Sequence, residues 1–242
     1  MAQLSVNLNK IALIRNSREG HAPNVVDFAL SAIAFGAQGI TVHPRPDARH
    51  IRRDDVFTLG KAINVEFNIE GNPMPEFNAL VHEVKPAQVT LVPDDPAQLT
   101  SDHGWDLKKE GEALKPIIQA YRDAGIRVSL FMDPVAEEIA RARECGADRV
   151  ELYTEAYAAA YGSDDEAAIL KTYVESAQAA LDAGLGVNAG HDLNQANLGL
   201  FCREVPEVLE VSIGHALISE ALVDGWETTI RNYVSILQDA AG

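Results

Sequence analysis

Two periodicities alternate along the chain. Short stretches rich in Val, Ile, Leu and Thr with period 2 lie at roughly 4–9, 39–43, 65–70, 88–92, 127–132, 149–153, 185–189 and 210–214, and read as strands. Between and after them the apolar positions recur with the helical period, at roughly 24–35, 53–62, 75–84, 107–124, 134–145, 164–183, 193–203 and 215–238. Gly36, Gly125, Gly146 and Gly184 each follow an apolar-periodic segment, where a left-handed residue ends a helix; Pro23 and Pro134 stand where helices begin. Strict alternation of strand and helix requires a parallel sheet, and eight repeats predict a closed (β/α)8 TIM barrel formed by one domain over residues 1–242. An open doubly wound sheet is the alternative that periodicity leaves. Two connections are longer than the rest, 10–22 after the first strand and 93–106 after the fourth.

The strand faces differ sharply. One face carries Val6/Leu8, Ile40/Val42, Val65/Phe67/Ile69, Val89/Leu91, Val128/Leu130, Val150/Leu152, Val187/Ala189 and Val211/Ile213. The other carries Ser5/Asn7/Asn9, Thr41/His43, Glu66/Asn68/Glu70, Thr90, Ser129, Glu151, Asn188 and Glu210/Ser212. In a barrel the apolar face meets the helices, so the second set points inward. Carboxylates and amides there are costly unless paired, which predicts a polar, hydrogen-bonded barrel interior opening onto the site.

Charge narrows the partners. The formal net charge is −16, which disfavours nucleic acid and anionic membranes. Residues 1–53 oppose the trend: seven Lys/Arg against three acids make this segment +4 and the remainder −20. A basic island in an acidic protein suits small anionic ligands. Cys145 and Cys202 lack any CxxC spacing and read as reduced core thiols. No signal sequence and no apolar run near 18 residues is present, so a cytoplasmic protein is expected.

Active sites of this fold gather at the C-terminal strand ends. The first strand delivers Asn7, Asn9 and Lys10, followed by Arg15 and Arg18; the second delivers His43, Arg45 and His50; the third delivers Glu70. The fourth leads to Thr100, the sixth ends after Glu151, the seventh ends in Gly190-His191-Asp192 and the eighth in Gly214-His215. Gly190 and Gly214 are strand-to-helix turns, and Gly214-His215 opening the last helix is a phosphate-seat candidate. A second anion site is expected around Arg45 and His50, so two phosphorylated substrates would fit. His43, Glu70 and His191 are the proton-transfer candidates. His82 lies within a helix and reads as structural.

The segments Ser5-Val-Asn-Leu-Asn-Lys-Ile-Ala-Leu-Ile-Arg-Asn-Ser-Arg18, Gly39-Ile-Thr-Val-His-Pro-Arg-Pro-Asp-Ala-Arg-His-Ile51, Phe67-Asn-Ile-Glu-Gly71, Val187-Asn-Ala-Gly-His191 and Ser212-Ile-Gly-His215 carry a resemblance across essentially the whole chain. The sequence resembles the pyridoxine 5′-phosphate synthase family of vitamin B6 biosynthesis. The resemblance implies a transferase-type condensation of 3-amino-2-oxopropyl phosphate with 1-deoxy-D-xylulose 5-phosphate. It also implies no metal or organic cofactor and a homo-oligomer, an octamer built from dimers. It implies His43 and Glu70 as general bases and His191 as proton donor. Asn7, Arg18, Gly214 and His215 would hold the aminooxopropyl phosphate, and Arg45, His50 and Thr100 the deoxyxylulose phosphate. Asn9, Lys10 and Asp192 depart from the familiar Asp, His and Gly. By position they are expected among the substrate contacts, Lys10 toward a phosphate or hydroxyl and Asp192 through its backbone.

Three other readings compete. A metal-dependent barrel hydrolase would use His43, His191, His215 and Glu70 as ligands, although no His-x-His or HExxH motif occurs. An aldolase would form an imine on Lys10. A non-catalytic phosphate-binding barrel would have little use for His43, Glu70 and His191 together.

Overall fold

The strongest constraint on the fold is the two-faced strand, which needs helices outside and polar partners inside. The computed structural model describes residues 1–95, 98 and 100–242 and resolves this constraint as a closed barrel. The strands are β1 (Gln3–Asn7), β2 (Gly39–Val42), β3 (Glu66–Gly71), β4 (Gln88–Leu91), β5 (Arg127–Met132), β6 (Arg149–Tyr153), β7 (Gly186–His191) and β8 (Val208–Ile213). All pair in parallel and in sequence order. The β1–β8 pairing, with Ser5 opposite Ser212, closes the ring. The helices are α1 (Asn9–Asn16), α2 (Val25–Ala34), α3 (Arg53–Ala62), α4 (Pro75–Val84), α5 (Leu107–Asp123), α6 (Ala136–Glu144), α7 (Glu155–Ala160), α8 (Glu166–Asp182), α9 (Leu198–Glu204), α10 (His215–Asp224) and α11 (Trp226–Ala240).

The expected division of faces holds. Val6, Ile40, Ile69, Val128, Val150 and Ile213 are fully buried in the layer between strands and helices. Inside, Ser5 bonds Thr41 at 2.7 Å, Thr90 donates to Asn68 at 3.1 Å, and Asn188 of β7 reaches Gln88 of β4 at 3.4 Å. A bond between non-neighbouring strands can only cross the interior. The floor is ionic: Arg127 pairs with Glu66 and donates to Gln88, and Arg149 lies 3.7 Å from Glu210 and donates to Asn188. These arginines share the face of Ser129 and Glu151. They extend the polar set read from the sequence with the cations that make its carboxylates tolerable inside.

Helix ends follow local chemistry. Asn24 accepts from the N–H groups of Val26 and Asp27 and caps α2, and Pro75 occupies the first turn of α4. Gly36, Gly125, Gly146 and Gly184 all have positive φ at helix ends, as expected.

Four details differ from the periodic reading. The first strand ends at Asn7, and the connection expected at 10–22 contains α1, which starts two residues later. A short α7 precedes α8. The helix expected over 193–203 begins only at Leu198, after a turn in which Asn194 and Asn197 side chains accept from backbone N–H groups. The last helix is two helices, broken at Gly225 with φ 86° and ψ 151°. The expected connection 93–106 includes residues 96, 97 and 99, which lie outside the described residues.

Candidate active site

At the C-terminal end of the barrel lies a cavity of about 450 Å³. Its walls include Asn7, Asn9, Lys10, His43, Arg45, His50, Glu70, Thr100, His191, Asp192, Gly214 and His215, so twelve of the thirteen site residues expected from sequence meet there. Arg18 does not: it is exposed in the turn after α1 and does not line this cavity. Leu13, Arg49, Val92, Ser101, Phe131, Glu151 and Ser212 complete the lining.

The strand ends aim the side chains. Asn7 closes β1 and donates to Glu70 Oε2 at 3.2 Å across the barrel mouth, while its Oδ1 accepts from the Asn9 N–H at 3.0 Å and starts α1. Asn9 Oδ1 accepts from the backbone N–H of His43 at 2.9 Å, just past β2. The chain Glu70–Asn7–Asn9–His43 thus ties three strand ends together. A Cβ on Gly214 would lie 3.1 Å from the Asn7 Cβ, so this glycine lets the start of α10 press against Asn7.

Electrostatics separate the two buried groups. His43 is 6% exposed, and burial, followed by the charge of Arg45, holds its pKa well below the ordinary imidazole value. It is a neutral acceptor at pH 7. Burial in the first place, then the charges of Asp94 and Glu210, pushes Glu70 well above the usual carboxyl range. Glu151 is raised in the same direction by burial and then by Glu70. His50 falls to about 4 through burial, Arg45 and Lys10.

Arg45 is engaged with the chain after β4. Its guanidinium donates to Asp94 at 2.5 Å and to the Gln98 carbonyl at 3.1 Å, and Ser101 donates to the same Asp94 oxygen at 2.7 Å. His43 and Arg45 line both the large cavity and a neighbouring one of about 200 Å³, which Asp94 also lines. With Arg45 paired to Asp94, the hydrogen-bond partner of Glu70 is Asn7. His82 stacks on Tyr121 at 5.0 Å, as a structural histidine would.

At the opposite wall His191 ends β7. Its Nδ1 donates to Asp192 Oδ2 at 2.6 Å, and its Nε2 lies 3.1 Å from Thr100 Oγ1. Periodicity places Glu151 on the inward face and gives it no role. Its proximity to Glu70 depends on two strands three apart in the barrel, which no local pattern encodes. Among the described residues, no group of three or more His, Cys, Asp or Glu side chains could hold a metal ion. No described helix is long and apolar enough to cross a membrane.

The closed barrel with opposed acid–base groups at its C-terminal rim defines a (β/α)8-barrel enzyme. Comparison with known proteins gives its kind. Residues 4–239 match the family model described as pyridoxal phosphate biosynthesis protein PdxJ. The chain is 56% identical over 238 residues to a pyridoxine 5′-phosphate synthase of Bacteroides fragilis strain YCH46, covering 98% of this chain and 100% of the relative. It is 54% identical over 245 residues to one from Xylella fastidiosa strain M12, covering 97% and 94%. The chain belongs to the PdxJ family. Solved structures show the fold alone: an aldolase described as 4-hydroxy-2-oxoglutarate/2-deydro-3-deoxyphosphogluconate aldolase matches with TM-score 0.64 at 11% identity, covering 97% of this chain and 94% of its own. Phosphoribosyl anthranilate isomerase of Thermotoga maritima matches with TM-score 0.62 at 13% identity, covering 98% and 99%.

Proposed function

We propose that this enzyme condenses 3-amino-2-oxopropyl phosphate with 1-deoxy-D-xylulose 5-phosphate to give pyridoxine 5′-phosphate, inorganic phosphate and water. The observation that carries the reading is the meeting of His43, Glu70 and His191 in one cavity with phosphate-holding chemistry at both ends. At one end lie Asn7, Gly214 and the start of α10 at His215, where backbone N–H groups and the helix dipole favour the aminooxopropyl phosphate. At the other lie Lys10, Arg45, His50 and Thr100, with Arg49 beside them, for the sugar phosphate.

The chemistry assigns the proton carriers. Amine and ketone join as an imine, so water must leave with a proton from the enzyme. Carbons beside the imine then lose protons, phosphate leaves, water adds, and the ring closes and aromatises with loss of two further waters. His43, held neutral by burial, accepts protons from carbon. Glu70 keeps its proton near neutrality, so it donates first and is a base once it has done so. His191 donates to the departing oxygen. Asn9 acts by seating His43, and Arg18, exposed in its own subunit, is a phosphate contact only if the assembly brings it to a cavity.

A homo-oligomer suits the bare apolar end of α10, where Leu222 is 78% and Val223 86% exposed. Two free cysteines fit a reducing cytoplasm. The decisive test mixes purified protein with both phosphates and follows pyridoxine 5′-phosphate absorbance and phosphate release. One phosphate per ring formed is expected; absence of the product with both substrates saturating would refute the reading.

A further inference from the structure

We infer that Asp192 is a positioning residue for His191: its carboxylate fixes the ring so that the only exchangeable proton is the one on Nε2, facing the cavity. The inference rests on the proposed role of His191 as proton donor.

The geometry is built for this. An ionised carboxylate only accepts, so the 2.6 Å contact requires hydrogen on His191 Nδ1. That hydrogen stays on Nδ1 whether the ring is neutral or protonated. Nε2 then carries either the lone pair or the proton, at 3.1 Å from Thr100 Oγ1. The hydroxyl donates to Nε2 in the neutral ring and accepts from it in the protonated one.

The backbone is bent to make the pair. His191 has φ +77°, which a β-carbon-bearing residue adopts only under constraint. The Asp192 N–H donates back to the Gly190 carbonyl at 3.2 Å, a γ-turn centred on His191. Thr154, buried on the chain after β6, holds that turn from below. Its hydroxyl donates to the Gly190 carbonyl and accepts from the Asp192 N–H at 3.3 Å. Asn197 donates to the Asp192 carbonyl at 3.5 Å. With the carboxylate on Nδ1, Asp192 is poorly placed to bind an anion, and a carboxylate beside a phosphate would repel it.

The test combines kinetics and nitrogen NMR on the full-length protein. Asp192→Ala is expected to lower kcat roughly 10- to 100-fold, as loss of an oriented acid does, with both KM values changed less than about twofold. In a His191→Asn background the same change should have no further effect on kcat, because both variants remove one function. In ¹⁵N-histidine spectra of the wild type, His191, identified by the signals missing from His191→Asn, should bear hydrogen on Nδ1 when neutral. In Asp192→Ala it should move to Nε2. Loss of affinity alone in Asp192→Ala, additive rate losses in the double variant, or a wild-type neutral ring protonated on Nε2 would each overturn the inference. If His191→Asn keeps full kcat, the donor role itself falls and this inference with it. If His191→Asn is slow while Asp192→Ala is not, only the inference falls. The wild-type spectrum decides the tautomer even if a variant fails to fold.

Discussion

His43 and Glu70 sit on adjacent strand ends, yet the same desolvation drives them to opposite protonation states. It neutralises the imidazole by removing a proton and the carboxyl by keeping one. Glu70→Gln preserves the shape and the Asn7 contact while abolishing proton exchange. It should leave the melting temperature nearly unchanged at about pH 4.5, raise it near and above neutrality where the folded carboxyl resists ionisation, and lower kcat by about 10²- to 10⁴-fold. A thermal melt beside a steady-state assay checks both halves, and full turnover would remove Glu70 from the mechanism. Gly190 shows how tightly the neighbouring wall is drawn. A Cβ there would lie 2.4 Å from the Ser212 carbonyl oxygen and 3.0 Å from Glu151 Oε1. Backbone cannot yield as a side chain can, so Gly190→Ala should push β7 from β8. The expected loss is about 1–3 kcal/mol in urea unfolding.

Strands and most helices were legible because each has one buried face and a period to match it. The exceptions have physical causes. Helix α1 follows β1 almost without a break, and exposed Leu13 and Ile14 blur its polar face. Gly225 splits the last helix, while apolar spacing continues on both sides of it. The rim residues were legible because every strand of a parallel barrel ends at the same rim. Arg45 with Asp94 and His191 with Asp192 were not, since such pairs depend on side-chain direction. The same holds for Arg15, which is buried in α1. It donates to Asp55 of α3 at 2.6 and 2.9 Å and to the His50 carbonyl at 3.0 Å. Asp55 in turn accepts from the Arg52 N–H that opens α3. One guanidinium therefore ties two helices and the loop carrying Arg45 and His50. Arg15→Ala strands a carboxylate that is nearly buried, and should cost about 3–5 kcal/mol, read from chemical denaturation. It should also raise the sugar-phosphate KM, because the loop loses its anchor; an unchanged KM would separate the helices' tie from the site.

For the molecule as a whole, the polar barrel ties stability to pH with a sign that its site dictates. His43 and His50 bind protons less well folded than unfolded, His50 with a value near 4. Their contribution rises with pH and is complete above about 6.5, where the unfolded imidazoles have also lost their protons. The interior carboxyls act in the other direction. Glu210 is raised to about 7, by burial first and then by Glu151, and Glu70 and Glu151 are raised too. Each is most favourable to the fold at low pH. Each loses ground from the unfolded carboxyl value upward, until its own folded value is passed. Between about pH 4.5 and 6.5 the two sets oppose one another. Above about 6.5 His43 and His50 are silent while the interior carboxyls still titrate, and His103, raised by its bond to Asp102, loses its contribution in the same direction. Stability should therefore fall as pH rises from 6.5 through 7 and beyond, by up to about 1.4 kcal/mol per pH unit for each carboxyl still exchanging. Glu70→Gln should flatten that slope while leaving the histidine limb below it intact. Urea unfolding at a series of pH values measures both limbs. A stability that kept rising above pH 6.5 would mean that the interior carboxyls are already ionised, with Arg127 and Arg149 as sufficient counter-charges.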